Sequence, residues 1–135
     1  MATLYIGCSL TQAPEGFKQN VEELKQTLRT NGHTVLDFIG LVAGTAKDVY
    51  EWDIHQCVEK CDVFVAICDY PAIGLGYELG VAVEKLNKPT LVLAHTDAKI
   101  TRLVQGIECP NYAIVRYSSF SDIPKHIEVF VTKSK

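Results

Sequence analysis

Two carboxylates and the glycines ahead of one of them are the residues of this chain best placed to do chemistry. Glu78 lies in the segment 62–80, DVFVAICDYPAIGLGYELG, where an apolar run gives way to turn residues, to Gly74 and Gly76, and then to helix formers. A carboxylate held against a ligand can stabilise positive charge, attack an electrophilic carbon or take up a proton. The spacing predicts Glu78 in the opening turn of a helix, where unpaired N–H groups and the helix dipole favour the ionised form. That position is also ordinary for a glutamate whose only partner is the dipole. Asp53 falls at the margin of a second helical stripe made by Tyr50, Ile54, Cys57, Val58 and Cys61. An acid there faces either a cleft or solvent.

Other site chemistries fit less well. Gly74, Gly76 and Gly80 give G-x-G-x-x-x-G, which differs from the dinucleotide fingerprint G-x-G-x-x-G and does not follow the first strand. Asp97 stands roughly 20 residues on, where a ribose-binding acid is expected, but Glu78 would repel a pyrophosphate at that helix end. The five cysteines (8, 57, 61, 68 and 109) include no C-x-x-C. Cys57 and Cys61 are one helical turn apart with no second pair of ligands nearby in sequence, so neither a metal nor any other cofactor is predicted. The thiols read as small buried hydrophobes, with Cys8 the one expected to line a site. Trp52 is expected to be exposed. His95 ends a strand on the predicted ligand side, and no role is assigned to it or to His33, His55 and His126.

The elements that must position these residues alternate between strand and helix. Strands are predicted at 3–6, 34–38, 63–67, 90–94 and 113–117, and helices at 14–31, 47–61, after Gly76, at 100–107 and after a Ser121 cap with Pro124 in the first turn. Right-handed crossovers then give one doubly wound α/β domain over residues 1–135, a five-stranded parallel sheet of flavodoxin/Rossmann type with helices on both faces. For strand order 2-1-3-4-5 the switch point lies between strands one and three, which brings Gly7, Cys8 and Ser9 beside Asp69 and Glu78. The apolar loop 39–45 reads as a lid. With 135 residues, 47% hydrophobic composition and net charge −3, the chain suits a single core and offers no basic surface for a polynucleotide. No stretch approaches the ~20 apolar residues of a membrane span, and the start lacks a leader pattern, so a cytoplasmic location is expected.

TLYIG at residues 3–7, Asp53 and Asp62 separated by eight residues, GLGYELG with a following A-V from Gly74, and KPTLVL from Lys88 together resemble the nucleoside 2-deoxyribosyltransferase family, which includes the 2'-deoxynucleoside 5'-phosphate N-hydrolases. The similarity runs from the first strand to about residue 106. It implies cleavage of the bond between base and sugar in a nucleoside or nucleotide. Glu78 would attack the anomeric carbon, Asp53 would handle the base, and Tyr5 would position the nucleophile. Gly7, Cys8, Ser9, Asp69, Gly74, Gly76 and Thr101 would contact the substrate, with Ser9 and Thr101 supplying hydroxyls where a phosphate is expected. The family also implies a homodimer or larger homo-oligomer. Two positions depart from the hydrolase pattern: Thr11 stands where an arginine is expected, and Ala72 where a serine is. Whether the sugar passes to water or to another base stays open. The alternative is a non-catalytic nucleotide-binding sensor of the same fold. A flavodoxin-like electron carrier would need a Ser/Thr/Gly-rich loop after the first strand, which this chain lacks.

Overall fold

The computed structural model describes residues 1–39 and 44–134; the middle of the loop read as a lid, residues 40–43, lies outside them. The five predicted strands form one parallel sheet: β1 (Thr3–Cys8), β2 (Thr34–Leu36), β3 (Val63–Ile67), β4 (Thr90–His95) and β5 (Tyr112–Tyr117), in the order β2-β1-β3-β4-β5. All five residues of β3 are buried, as a continuous apolar run in the middle of a sheet covered on both faces requires.

The period-two alternation of β1 decides what each side of the sheet is for. Leu4 and Ile6 join the core under α1 (Glu15–Thr30) and α5 (Ile123–Lys133), with Val21, Leu24, Leu28, Ile123 and Ile127. Tyr5 faces the other way, into a second core with Phe64, Ala66 and Val92 and with the residues of two helices, Ile54, Cys57, Val58, Leu75 and Leu79. The first of these helices is α2 (Ala46–Tyr50), opened by a Thr45–Asp48 capping box and continuing as a π-helical stretch (Glu51–Val58). The second is α3 (Ile73–Gly80), which continues as another π-helical stretch (Val81–Lys85). In both the i→i+5 bond is formed, from Glu59 N–H to Ile54 O at 2.8 Å and from Leu86 N–H to Val81 O at 3.0 Å.

A 100° wheel puts Tyr50 on the buried stripe; it shares the cavity wall with Asp53 and Ile54, and because that end of the stripe borders open space Tyr50 is 43% exposed. Trp52 is exposed as expected, and its indole N–H donates to Asp37 O at 2.7 Å. The Cys57 thiol bonds the same carbonyl at 3.3 Å, and β2 ends at Leu36, before the predicted Phe38. Ser121 is not a helix cap. It sits in a single 3₁₀ turn (Phe120–Asp122) with its hydroxyl paired to Ser119, and Pro124 occupies the first turn of α5 as predicted. The remaining helix, α4 (Arg102–Gln105), is shorter than predicted and is capped by the Thr101 hydroxyl, which accepts from Leu103 N–H at 3.3 Å. Asn31 and Gly32 (φ +102°) close α1 as expected. Among the described residues, no helix is long and apolar enough to cross a membrane.

The seam between β1 and α3 is held by an absent side chain. A Cβ on Gly7 would lie 2.9 Å from Leu75 Cδ1 and 3.0 Å from the Phe64 ring, so α3 approaches the sheet only because residue 7 has none. Gly7→Ala should lower unfolding stability by about 1–3 kcal/mol through overpacking. Chemical denaturation checks this, and an unchanged midpoint would contradict the close approach.

Candidate active site

At the switch point β1 and β3 diverge, and a cavity of about 860 Å³ opens between the loop after β1, α2 and α3. Tyr5 enters it from below. Its ring is 1% exposed and stacks on Phe64 with centroids 5.7 Å apart, and its hydroxyl donates to Glu78 Oε2 at 2.6 Å. Asp53 lines the opposite wall from the π-helical part of α2, and its Oδ1 accepts from Ile39 N–H at 3.0 Å. The sheet thus brings residues 5, 53 and 78 to one cavity.

The electrostatics of Glu78 differ from those its sequence position suggests. Ala72 caps α3 and Ile73 begins it, so Glu78 is the sixth residue and lies beyond the first turn. The dipole argument fails there, since its influence fades within one turn. Burial dominates instead and pushes the Glu78 carboxyl from 4.5 up to about 7; the Tyr5 hydrogen bond pulls it down and the nearby Asp53 charge raises it further. Burial also raises Asp53, with the Ile39 N–H acting against it. The Tyr5 phenol is held far above its ordinary range, by burial first and then by Glu78, and therefore remains a donor. Burial pushes the Cys8 thiol up to about 11, which keeps it a neutral wall of the cavity.

The glycines also differ from expectation. Gly74 and Gly76 lie inside α3 and have no need of left-handed backbone, and no protein atom lies within 4 Å of a Cβ built on either. Gly74 lines the cavity, so its missing side chain leaves ligand space open; Gly76 is not among the lining residues. Of the other residues expected to contact substrate, Gly7 and Cys8 line the cavity, and Ser9, Asp69 and Thr101 do not. Ser9 is fully buried and its hydroxyl accepts from Gln12 N–H at 3.1 Å, which shapes the loop. Asp69 ties strand ends together by accepting from His95 N–H at 3.0 Å and from the Tyr117 hydroxyl. Thr101 is spent on its helix cap. Asp97, by contrast, is almost wholly exposed.

Sequence reasoning missed the aromatic walls Phe38, Tyr50 and Tyr77. The available signal was an aromatic within each segment flanking the site, with Tyr77 adjacent to Glu78. Among the described residues no cluster of His, Cys, Asp or Glu could hold a metal ion, and the Cys61 thiol bonds Val58 O at 3.2 Å.

A parallel five-stranded α/β domain with two carboxylates over a buried tyrosine defines a class of small-molecule enzyme, and comparison with known proteins gives the family. No family model matches the chain. It is 32% identical over 118 residues, 81% of its length and 79% of the relative's, to a Thermofilum pendens protein provisionally named 2'-deoxynucleoside 5'-phosphate N-hydrolase 1. A Syntrophotalea carbinolica protein of the same provisional name is 33% identical over 75 residues, which is 56% of this chain and 51% of that protein. Among solved structures, the Clostridium botulinum CMP N-glycosidase BcmB superposes with a TM-score of 0.74 at 18% identity, covering 95% of this chain and 98% of that one. A 2-deoxyribosyltransferase from Leishmania mexicana superposes with a TM-score of 0.67 at 15% identity, covering 94% and 97%. The chain belongs to the nucleoside 2-deoxyribosyltransferase family and is an enzyme of the deoxyribosyltransferase or N-glycosidase kind.

Burying Glu78 has a cost in stability with a definite pH dependence. The carboxyl is raised in the folded protein, so its contribution is fully present below about 4.5 and is lost as pH rises through about 7. Glu78→Gln removes that loss. The variant should gain on the wild type between pH 4.5 and 7, by on the order of 2–3 kcal/mol at the plateau, as measured by denaturation at a series of pH values. A stability difference that does not vary with pH would contradict the buried carboxyl.

Proposed function

We propose that this enzyme cleaves the N-glycosidic bond of 2-deoxynucleosides, ribonucleosides or their 5'-monophosphates, with Glu78 as nucleophile. The observation that carries the reading is the Tyr5–Glu78 hydrogen bond: it fixes Oε2 at 2.6 Å and leaves Oε1 as the unshared oxygen of a carboxylate that lines the cavity. In its ionised form Glu78 attacks the anomeric carbon as the carbon–nitrogen bond breaks, which makes a glycosyl ester and releases the base. A proton reaches the departing base through Asp53, whose raised proton affinity keeps a protonated fraction available beside the ionised form. Water or a second base then attacks the same carbon and loses its proton to Asp53, and Glu78 leaves as the carboxylate. The names of the relatives include both hydrolytic and transferase activities, and this cycle serves either acceptor.

Incubation with a panel of nucleosides and monophosphates, with and without a second free base, tests the reading through released or exchanged base. Glu78→Gln should fold and lose turnover by about 10³-fold or more, because a nucleophile and its helpers act as a unit. Asp53→Asn should suffer mainly on substrates with poor leaving bases. In wild type, activity limited by Glu78 ionisation should rise with pH through about 7. Near-normal turnover by Glu78→Gln would exclude this role.

We further propose that the enzyme works in the cytoplasm as a homodimer or larger assembly. Free cysteines at all five positions suit a reducing compartment, and cell fractionation that finds the protein elsewhere would argue against it. The apolar surface at the cavity mouth, with Ile73 95% exposed and Tyr50 and Tyr77 also exposed, suits cover by a second copy. Sedimentation at micromolar concentration should give at least a dimer; a monomer throughout would rule assembly out.

A further inference from the structure

We propose that the cavity selects an uncharged nucleoside over its 5'-monophosphate, because its wall carries two carboxylates and no cation. The proposal rests on the N-glycosidic reading above and departs from the phosphate in the relatives' provisional name. Among the described residues that line the cavity the carboxylic acids are Asp53 and Glu78, and no Lys, Arg or His accompanies them. Residues 40–43 are Gly-Leu-Val-Ala in sequence and add no charge.

The cations of the neighbouring α1 are already committed. Lys25, whose side chain is 1% exposed, bonds Glu22 at 3.0 Å and Asp37 at 3.3 Å and lies 4.2 Å from the centre of the Phe38 ring. Lys18 pairs with Glu15 at 2.8 Å. Arg29 bonds Asp37 Oδ2 and Val35 O, both at 2.8 Å. In the loop after β1 the Gln12 N–H is taken by the Ser9 hydroxyl.

A phosphate entering this cavity would therefore exchange water for repulsion. At a separation of about 8 Å and an effective dielectric constant of about 20, each ionised carboxylate should weaken a singly charged phosphate roughly 30-fold, and the near-dianion present at pH 8 by more. In return the lining offers a phosphate neutral donors such as the Thr11 hydroxyl and the Gln12 amide, with no positive charge behind them. A nucleoside presents a neutral 5'-hydroxyl, which Thr11 or Gln12 on the lining can hydrogen-bond without that cost.

The test is calorimetric binding at pH 8 of a deoxynucleoside, its 5'-monophosphate and inorganic phosphate to wild type and to Glu78→Gln, with base release assayed in parallel. The nucleoside should bind wild type at least as tightly as the monophosphate, and inorganic phosphate at millimolar concentration should not compete. Removing the Glu78 charge should shift the preference toward the monophosphate by roughly 30-fold or more. Tighter binding of the monophosphate to wild type by tenfold or more, an unchanged preference in Glu78→Gln, or no binding of any nucleoside would overturn the proposal. Binding of the nucleoside without base release would leave this selectivity standing and defeat the catalytic reading instead.

Discussion

The hydrogen bond from Tyr5 to Glu78 joins a strand to a helix across 73 residues of chain, and the architecture around it can be read as the set of conditions that allow it. Tyr5 must face α3, which the alternation of β1 ensures by sending Leu4 and Ile6 to the opposite core. The helix must come close, which Gly7 permits by leaving room for Leu75. The hydroxyl must stay protonated, and burial of the phenol sees to that. With Oε2 fixed, Glu78 has lost the rotational freedom that would otherwise be surrendered on reaching a transition state.

The same burial that orders Glu78 works against its charge. A carboxyl raised to about 7 is only partly ionised near neutral pH, so the fold carries a group whose reactive form it disfavours. This is a familiar bargain at sites where stability yields to function. Among the described residues no cationic side chain lines the cavity, which suits the proposed encounter of Glu78 with positive charge developing on a sugar.

Much of the fold was legible because its signals are local and redundant. β3 is five apolar residues between turns, α1 ends at Asn31-Gly32, and alternating elements imply the parallel order through handedness. The meeting of Tyr5, Asp53 and Glu78 was legible through family resemblance, while periodicity alone left Asp53 between cleft and solvent. What failed did so for identifiable reasons. The glycines read as a loop but were absorbed into α3, since tertiary packing of Leu75 and Leu79 outweighs their poor propensity. That shift of the helix start moved Glu78 out of reach of the dipole. Tyr50 lies at the end of its stripe that borders the cavity, and so is exposed where the wheel implied burial. Ser9, Asp69 and Thr101 lie off the cavity lining: Ser9 and Thr101 accept from backbone two or three residues on, and Asp69 bonds His95 and Tyr117, partners remote in sequence.

The central claim is that Glu78 forms a bond to the sugar. A 2-deoxy-2-fluoro nucleoside slows both glycosyl steps by destabilising positive charge on the anomeric carbon, and a reactive leaving base lets the first step outrun the second. Intact-mass measurement after incubation should show one fluorosugar added per chain, and peptide mapping should place it on the segment 74–85, at Glu78. An adduct on any other residue, or base release from this substrate with no adduct at any time, would contradict the account.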